Sequence, residues 1–189
     1  MRKLILLSAF LSMGSILFAQ TFKVNTNTSK VEWLGKKIGK EHYGTVGLKE
    51  GKFEIKDNKF ISGTFIIDMD VMTDESHPDP NSPGRLINHL KSDDFFDVEK
   101  FPEAKLQISE SEAFEKGEAK VTAKLTIKGI THPIEFVVLR KGANFSSSMV
   151  FDRSKYDVKF GSNKFQELGD KAIKDEVWIT VNLIAERQR

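Results

Sequence analysis

The chain has 189 residues, no cysteine, and 29 basic against 27 acidic residues. The missing cysteines exclude disulfides and thiolate metal sites. The near balance of charge leaves no basic excess of the kind that nucleic-acid and anionic-membrane binders carry.

Residues 1–19 read as a secretory signal peptide. Arg2 and Lys3 are the positive start, Leu4 to Leu17 is apolar apart from small residues, and Ala19 is a small residue at the exit. The run falls short of the ~20 apolar residues that a membrane span needs. Loss of Arg2 and Lys3 brings the formal charge from +2 to zero. Residues 20–189 are expected to form one exported domain, periplasmic or secreted, with no stable membrane insertion. Without disulfides, its stability must come from strand pairing and apolar burial.

From there the dominant period is two, the strand period. Val31 and Trp33 mark an early strand. Phe53–Ile55 and Phe60 flank Asp57-Asn58, a pair suited to a tight hairpin. Ile61, Phe65, Ile67, Met69 and Val71 share a face, broken at Gly63, where a bulge or sharp bend is expected. Ala104, Leu106 and Ile108 alternate with polar residues, as do Val121, Ala123, Leu125 and Ile127. Ile134, Phe136 and Val138 follow, then Met149 and Phe151, and finally Val177, Ile179, Val181, Leu183 and Ala185. Lys116-Gly117, Gly129-Ile130 and Lys141-Gly142 are turn signals, and about eight strands with short connections imply an antiparallel meander.

Two stretches lack this alternation. In Thr73 to Phe101, Ser82-Pro83 suits a helix start, and Leu86 and Leu90 follow at helical spacing before Phe95-Phe96. In Ser154 to Asp175, Phe165, Leu168 and Ala172 are spaced roughly as on a helix. Connections this long tend to be lids or binding loops. The cluster of Leu86, Leu90, Phe95 and Phe96 reads either as a lid or as a plug over the end of a β core.

One or two short helices cannot cover eight strands, so the sheet must pack on a second sheet or close on itself. An eight-stranded barrel can just hold one small ligand, whereas a sandwich fills its interior with its own side chains. Alternation is common to both and leaves the choice open.

Several segments, in order, resemble the YceI-like family of lipid- and polyisoprenoid-binding proteins. They are Ser29-Lys30-Val31-Glu32-Trp33, His42-Tyr43-Gly44-Thr45-Val46, Ile67-Asp68-Met69, His89 to Asp97, Phe101-Pro102-Glu103-Ala104, Leu125 to Thr131, Phe151 to Tyr156, Phe160-Gly161-Ser162, and Leu168 to Ile173. The resemblance implies an all-β fold: an eight-stranded antiparallel, lipocalin-like barrel with a hydrophobic interior cavity. It also implies a periplasmic location and a long-chain lipid inside. It supplies no binding motif, because the shared residues are largely turn, corner and packing positions.

Chemistry-bearing residues are sparse. His42, His77, His89 and His132 include no i, i+4 metal pair, and hydrogen-bonded structural roles fit them best. Asp93, Asp94 and Asp97 read as turn and capping residues, and Asp68 and Asp70, which share a strand face, as ladder-edge or turn partners. No nucleophile elbow or phosphate loop is present.

The expected function is non-catalytic binding of a polyisoprenoid, isoprenoid quinone or fatty-acyl lipid, with no metal and no cofactor beyond the lipid. The expected contact residues are Trp33, Phe65, Ile67, Met69, Leu106, Ile108, Leu125, Ile127, Phe136, Val138 and Phe151, closed by Leu90, Phe95 and Phe96. Two alternatives stand beside it. One is a structural or adhesive β module with a packed core. The other is a redox or enzymatic partner for a bound quinone, using His42, His89 or Arg153. Homodimerisation stays open.

Overall fold

Nine strands and one α-helix run in chain order through the described residues, which in this computed structural model are 19–76, 84–169 and 172–188. The strands are β1 (Gln20–Val24), β2 (Lys30–Lys37), β3 (Lys40–Lys56), β4 (Lys59–Met72), β5 (Glu103–Ser111), β6 (Glu118–Ile127), β7 (Ile130–Lys141), β8 (Asn144–Asp152) and β9 (Ile173–Arg187). The helix α1 (Arg85–Lys91) lies between β4 and β5, and a 3-10 turn (Arg153–Tyr156) follows β8. The expected signal falls almost wholly on residues 1–18, and the expected helix start at Ser82-Pro83 on 77–83, both outside the described residues. His77 lies outside them too.

All pairings are antiparallel, and the β3–β4 pairing closes the sheet on itself. Nine strands make an eight-stranded barrel because β1 and β2 share one position. Both pair with β3 on one side and β9 on the other, β1 at residues 52–55 of β3 and β2 at residues 40–46. The expectation of a closed antiparallel barrel is met. The short strand β1, starting at Gln20, is an addition that its sequence did not announce.

Turn chemistry follows the sequence. Asp57 and Asn58 both have positive φ (50° and 59°), as two-residue hairpin turns that match strand twist require. Lys128 and Gly129 repeat this between β6 and β7 (49° and 73°).

Two details of β4 differ from the alternation. Ile61 and Val71 point outward, 43% and 56% exposed, while Phe60, Phe65 and Met69 are buried. The register against β3 shifts between Glu54 and Ile55 and again between Val46 and Gly47, and each irregularity moves its residue to the other face. Gly63 has its own cause. A Cβ there would lie 2.7 Å from Ile108 Cδ1 and 3.3 Å from Phe53 Cβ, so only glycine admits both neighbours. The second helical expectation fails: residues 161–169 form turns, and Phe165 is 51% exposed.

One end of the barrel is filled. Phe22 stacks on Phe53 with ring centroids 5.1 Å apart, and Phe145 meets Phe53 edge-on at 4.9 Å. Phe60 packs on both Phe53 and Phe114 at 5.3 Å. The Arg140 guanidinium caps the cluster over the rings of Phe22, Phe114 and Phe145.

Candidate functional site

Above this aromatic floor the barrel encloses a cavity of about 1060 Å³. Every expected contact residue lies on its wall. Trp33 comes from β2, Phe65, Ile67 and Met69 from β4, Leu106 and Ile108 from β5, and Leu125 and Ile127 from β6. Phe136 and Val138 come from β7, Phe151 from β8, Leu90 from α1, and Phe95 and Phe96 from the turn after it. Sequence reasoning missed further wall residues, among them Val46 and Leu48 of β3, Ile179 and Val181 of β9, and Ile87 of α1. Ser147 is an inward polar residue whose hydroxyl donates to the Val137 carbonyl at 2.8 Å, so it adds no unpaired group to the wall.

The mouth is covered by α1, the turn after it, and the loop from Arg153. None of the α1 residues is fully buried, though Leu86, Ile87 and Leu90 all face the cavity. Phe95 is buried. It packs against His89 at 4.9 Å and Phe160 at 5.3 Å, with the Arg153 guanidinium over its ring. The cluster therefore plugs the end and forms part of the cavity wall at once.

Arg153 holds the loop together. Its Nε donates to the Lys174 carbonyl (3.1 Å), Nη1 to those of Val158 (2.9 Å) and Phe160 (2.8 Å), and Nη2 to that of Ile173 (3.3 Å). Nη2 also pairs with Asp175 at 3.3 Å. Four of the five guanidinium N–H groups are thereby bonded to loop carbonyls, and Asp175 balances the charge, so the side chain is committed to the loop. Burial pushes its pKa down, and the nearby Asp175 carboxylate opposes this.

Asp152 caps the 3-10 turn by accepting from the Ser154 N–H at 2.9 Å, and it also pairs with Lys164. Burial works against the carboxylate, but Lys164 and Ser154 overcome it and hold the pKa below the ordinary 3.8. Asp152→Ala is expected to cost about 0.5–2 kcal/mol at neutral pH, the usual worth of such a cap. A depressed carboxylate pKa contributes stability above the unfolded-state value, and that stability is lost as pH falls through the folded one. The gap between parent and variant in urea unfolding should therefore narrow below about pH 4. An unchanged gap in acid would contradict the assignment.

The histidines take structural partners. His89 Nε2 meets Asp94 at 3.2 Å, and His132 Nε2 meets the Lys155 carbonyl at 3.0 Å. Asp97 pairs with Lys100 in the turn after α1, and Asp68 accepts from the Asp70 N–H where the β3–β4 ladder is irregular.

His42 is in an arrangement the sequence did not reveal. The segment after β4 continues along β3, with Thr73 N–H on the Thr45 carbonyl and Glu75 N–H on that of Tyr43. This carries Asp74 and Ser76 to His42, whose Nδ1 lies 2.9 Å from Ser76 Oγ. Ser76 Oγ in turn donates to the Asp74 carboxylate, the stronger acceptor, so His42 Nδ1–H donates to the serine. The order is His–Ser–Asp. A nucleophilic triad needs histidine between serine and acid to take the serine proton, and here the serine proton goes to the acid. Burial and the charges of Lys40 and Lys37 push the His42 pKa down, which outweighs the pull of Asp74.

Among the described residues no cluster of His, Asp or Glu could hold a metal, and no helix is long and apolar enough to cross a membrane.

Comparison with known proteins agrees with the architecture. No curated protein matches the chain. BcnA of Burkholderia cenocepacia is similar in structure, with a TM-score of 0.64 at 23% identity over 86% of this chain and 99% of its own. The YceI protein of Campylobacter jejuni matches with a TM-score of 0.51 at 21% identity, covering 69% of this chain and 74% of its own. A cysteine variant of that protein holding a monobromobimane guest gives 0.53 at 18% identity, with the same coverage. At these identities the likeness carries the fold alone. The family model for the YceI-like domain matches residues 22–185, and with the closed barrel and its cavity this establishes that the chain belongs to the YceI-like family.

Proposed function

We propose that the protein is a non-catalytic binder of one long-chain apolar lipid of polyisoprenoid, isoprenoid quinone or fatty-acyl type. It serves as carrier, store or protectant in the periplasm or outside the cell. The cavity carries this reading. Its 1060 Å³ exceeds the ~300–1,000 Å³ typical of small-molecule sites. An interior of this size is a compartment for a guest. Each buried methylene of an acyl or isoprenoid chain gains roughly 0.8 kcal/mol, against about 4–15 kcal/mol lost in association, so a long chain gives net binding with little selectivity for length.

The cavity speaks against a packed structural module. The committed donors of Arg153, the His89–Asp94 pair and the His–Ser–Asp order at His42 favour passive binding over chemistry on a bound quinone. Leu90, Phe95 and Phe96 act as the lid, and no metal or further cofactor is required.

Native mass spectrometry of protein from the cell envelope, before and after organic extraction, tests this. A mature chain beginning at Gln20, carrying one extractable lipid-sized adduct, is expected. No adduct, with no uptake of isoprenoid or fatty-acyl probes by the extracted protein, would overturn it.

A further inference from the structure

The charged side chains on the cavity wall are almost all of one sign. Lys36, Lys37, Lys40, Arg85, Lys174 and Arg153 line it, with Asp74 as the carboxylate among them. Two of the cations are already paired: Arg153 with Asp175, and Lys36 with Glu41 at 2.7 Å. Asp74 keeps its charge and accepts from the N–H and hydroxyl of Ser76. Lys37, Lys40, Lys174 and Arg85 have no ion pair among the described residues.

Three of them come from three strands, β2, β3 and β9, that the barrel brings together. Lys37 and Lys40 face each other across the β2–β3 hairpin, and Lys37 pairs in register with Ile173, next to Lys174. All three also line one small recess beside the mouth. Lys40 and Lys37 lie close enough to His42 to add to burial in pushing its pKa down. Each lysine is exposed yet lines the cavity. That is the geometry of a side chain whose methylenes follow an apolar wall while the ammonium stays in water.

We propose that this rim reads an anionic head group, so that the guest is a single-chain lipid ending in a carboxylate or phosphate, bound tail inward with its head at Lys37, Lys40 and Lys174. The inference rests on the lipid-binding reading above and narrows it. Taking an ionised head into the apolar interior is costly, whereas at the rim it stays hydrated and meets positive charge. His42, with its Nδ1–H committed to Ser76 and its pKa lowered, contributes no positive charge; the lysines do.

The test uses two fluorescent probes with the same tail, cis-parinaric acid and its methyl ester, titrated into delipidated protein. Exposed ion pairs are individually modest, so three are expected to make the acid bind about tenfold tighter than the ester at low ionic strength. The gap should close in the Lys37→Gln/Lys40→Gln/Lys174→Gln variant and in about 1 M NaCl, where the Debye length is ~3 Å. The ester's affinity should not change in the variant, which also reports an intact cavity. Equal binding of acid and ester by the parent, or a gap that survives in the variant, overturns the head-group proposal and leaves lipid binding standing. Failure of both probes to bind overturns the cavity reading and this proposal with it.

Discussion

Replacing Phe53 with alanine is expected to cost the delipidated protein about 3–5 kcal/mol, the range for truncating a buried phenylalanine. Phe53 is 1% exposed and sits at the centre of the filled end. It stacks on Phe22, meets Phe60 and Phe145 edge-on, and reaches Phe65 at 6.2 Å. Such ring pairs add roughly 0.5–1.5 kcal/mol each beyond the area they bury, which puts the loss toward the upper part of the range. The position also joins three strands. Phe53 pairs in register with Phe22 of β1 and Gly63 of β4, so its ring bridges the short strand to the seam that closes the barrel. Urea unfolding after lipid extraction measures the effect. A loss below about 1.5 kcal/mol would mean that the cluster is not the stabilising core of the barrel.

The architecture was readable where the ladder is regular. β6 and β7 pair residue for residue from Glu118–Leu139 to Ile127–Ile130 without a shift, and there every side chain that alternation assigned to the inner face, Val121 to Ile127 and Ile134 to Val138, is buried. It misled where register shifts. Ile61 and Val71 keep the parity of Phe65 in the sequence, yet irregularities in the β3–β4 pairing turn them outward. On β3 another shift between Leu48 and Glu50 hides a long strand, so Val46 and Leu48 went unread as wall residues. On β8, Ser146 to Ser148 interrupt the apolar pattern, although Ser147 points inward. The charged rim of the mouth was not legible. Lys174 lies far along the chain from the Lys37–Lys40 hairpin and meets it only through the β2–β9 pairing. The same holds for His42 and Ser76, which meet because the chain after β4 runs on along β3. Local periodicity carries facing, and it carries neither register slips nor contacts made by closure.

Facing also says nothing about which inward residue touches open space, and this yields the sharpest test of the cavity. Ile67, Ala123 and Val138 all belong to inward faces, yet only Ile67 and Val138 line the cavity. Ala123 is 0% exposed and lies in register between Ile108 of β5 and Ile134 of β7, so its methyl is shielded by two longer neighbours. Enlargement should therefore divide the three positions. In Ile67→Phe and Val138→Phe the added atoms enter the space a lipid would occupy. Lipid occupancy of the purified variants should fall, while delipidated stability stays within about 1 kcal/mol of the parent, since overpacking usually costs 1–3 kcal/mol only where no space exists. In Ala123→Phe the ring has no such space and must displace Ile108 or Ile134, so a loss at or above the top of that range is expected, about 3 kcal/mol. The comparison requires delipidated protein, because a bound guest adds stability by mass action. A uniform loss of several kcal/mol at all three positions, with no change in occupancy, would mean that the interior is packed throughout. The division between Ala123 and the other two is what a partly filled barrel with one built cavity must produce.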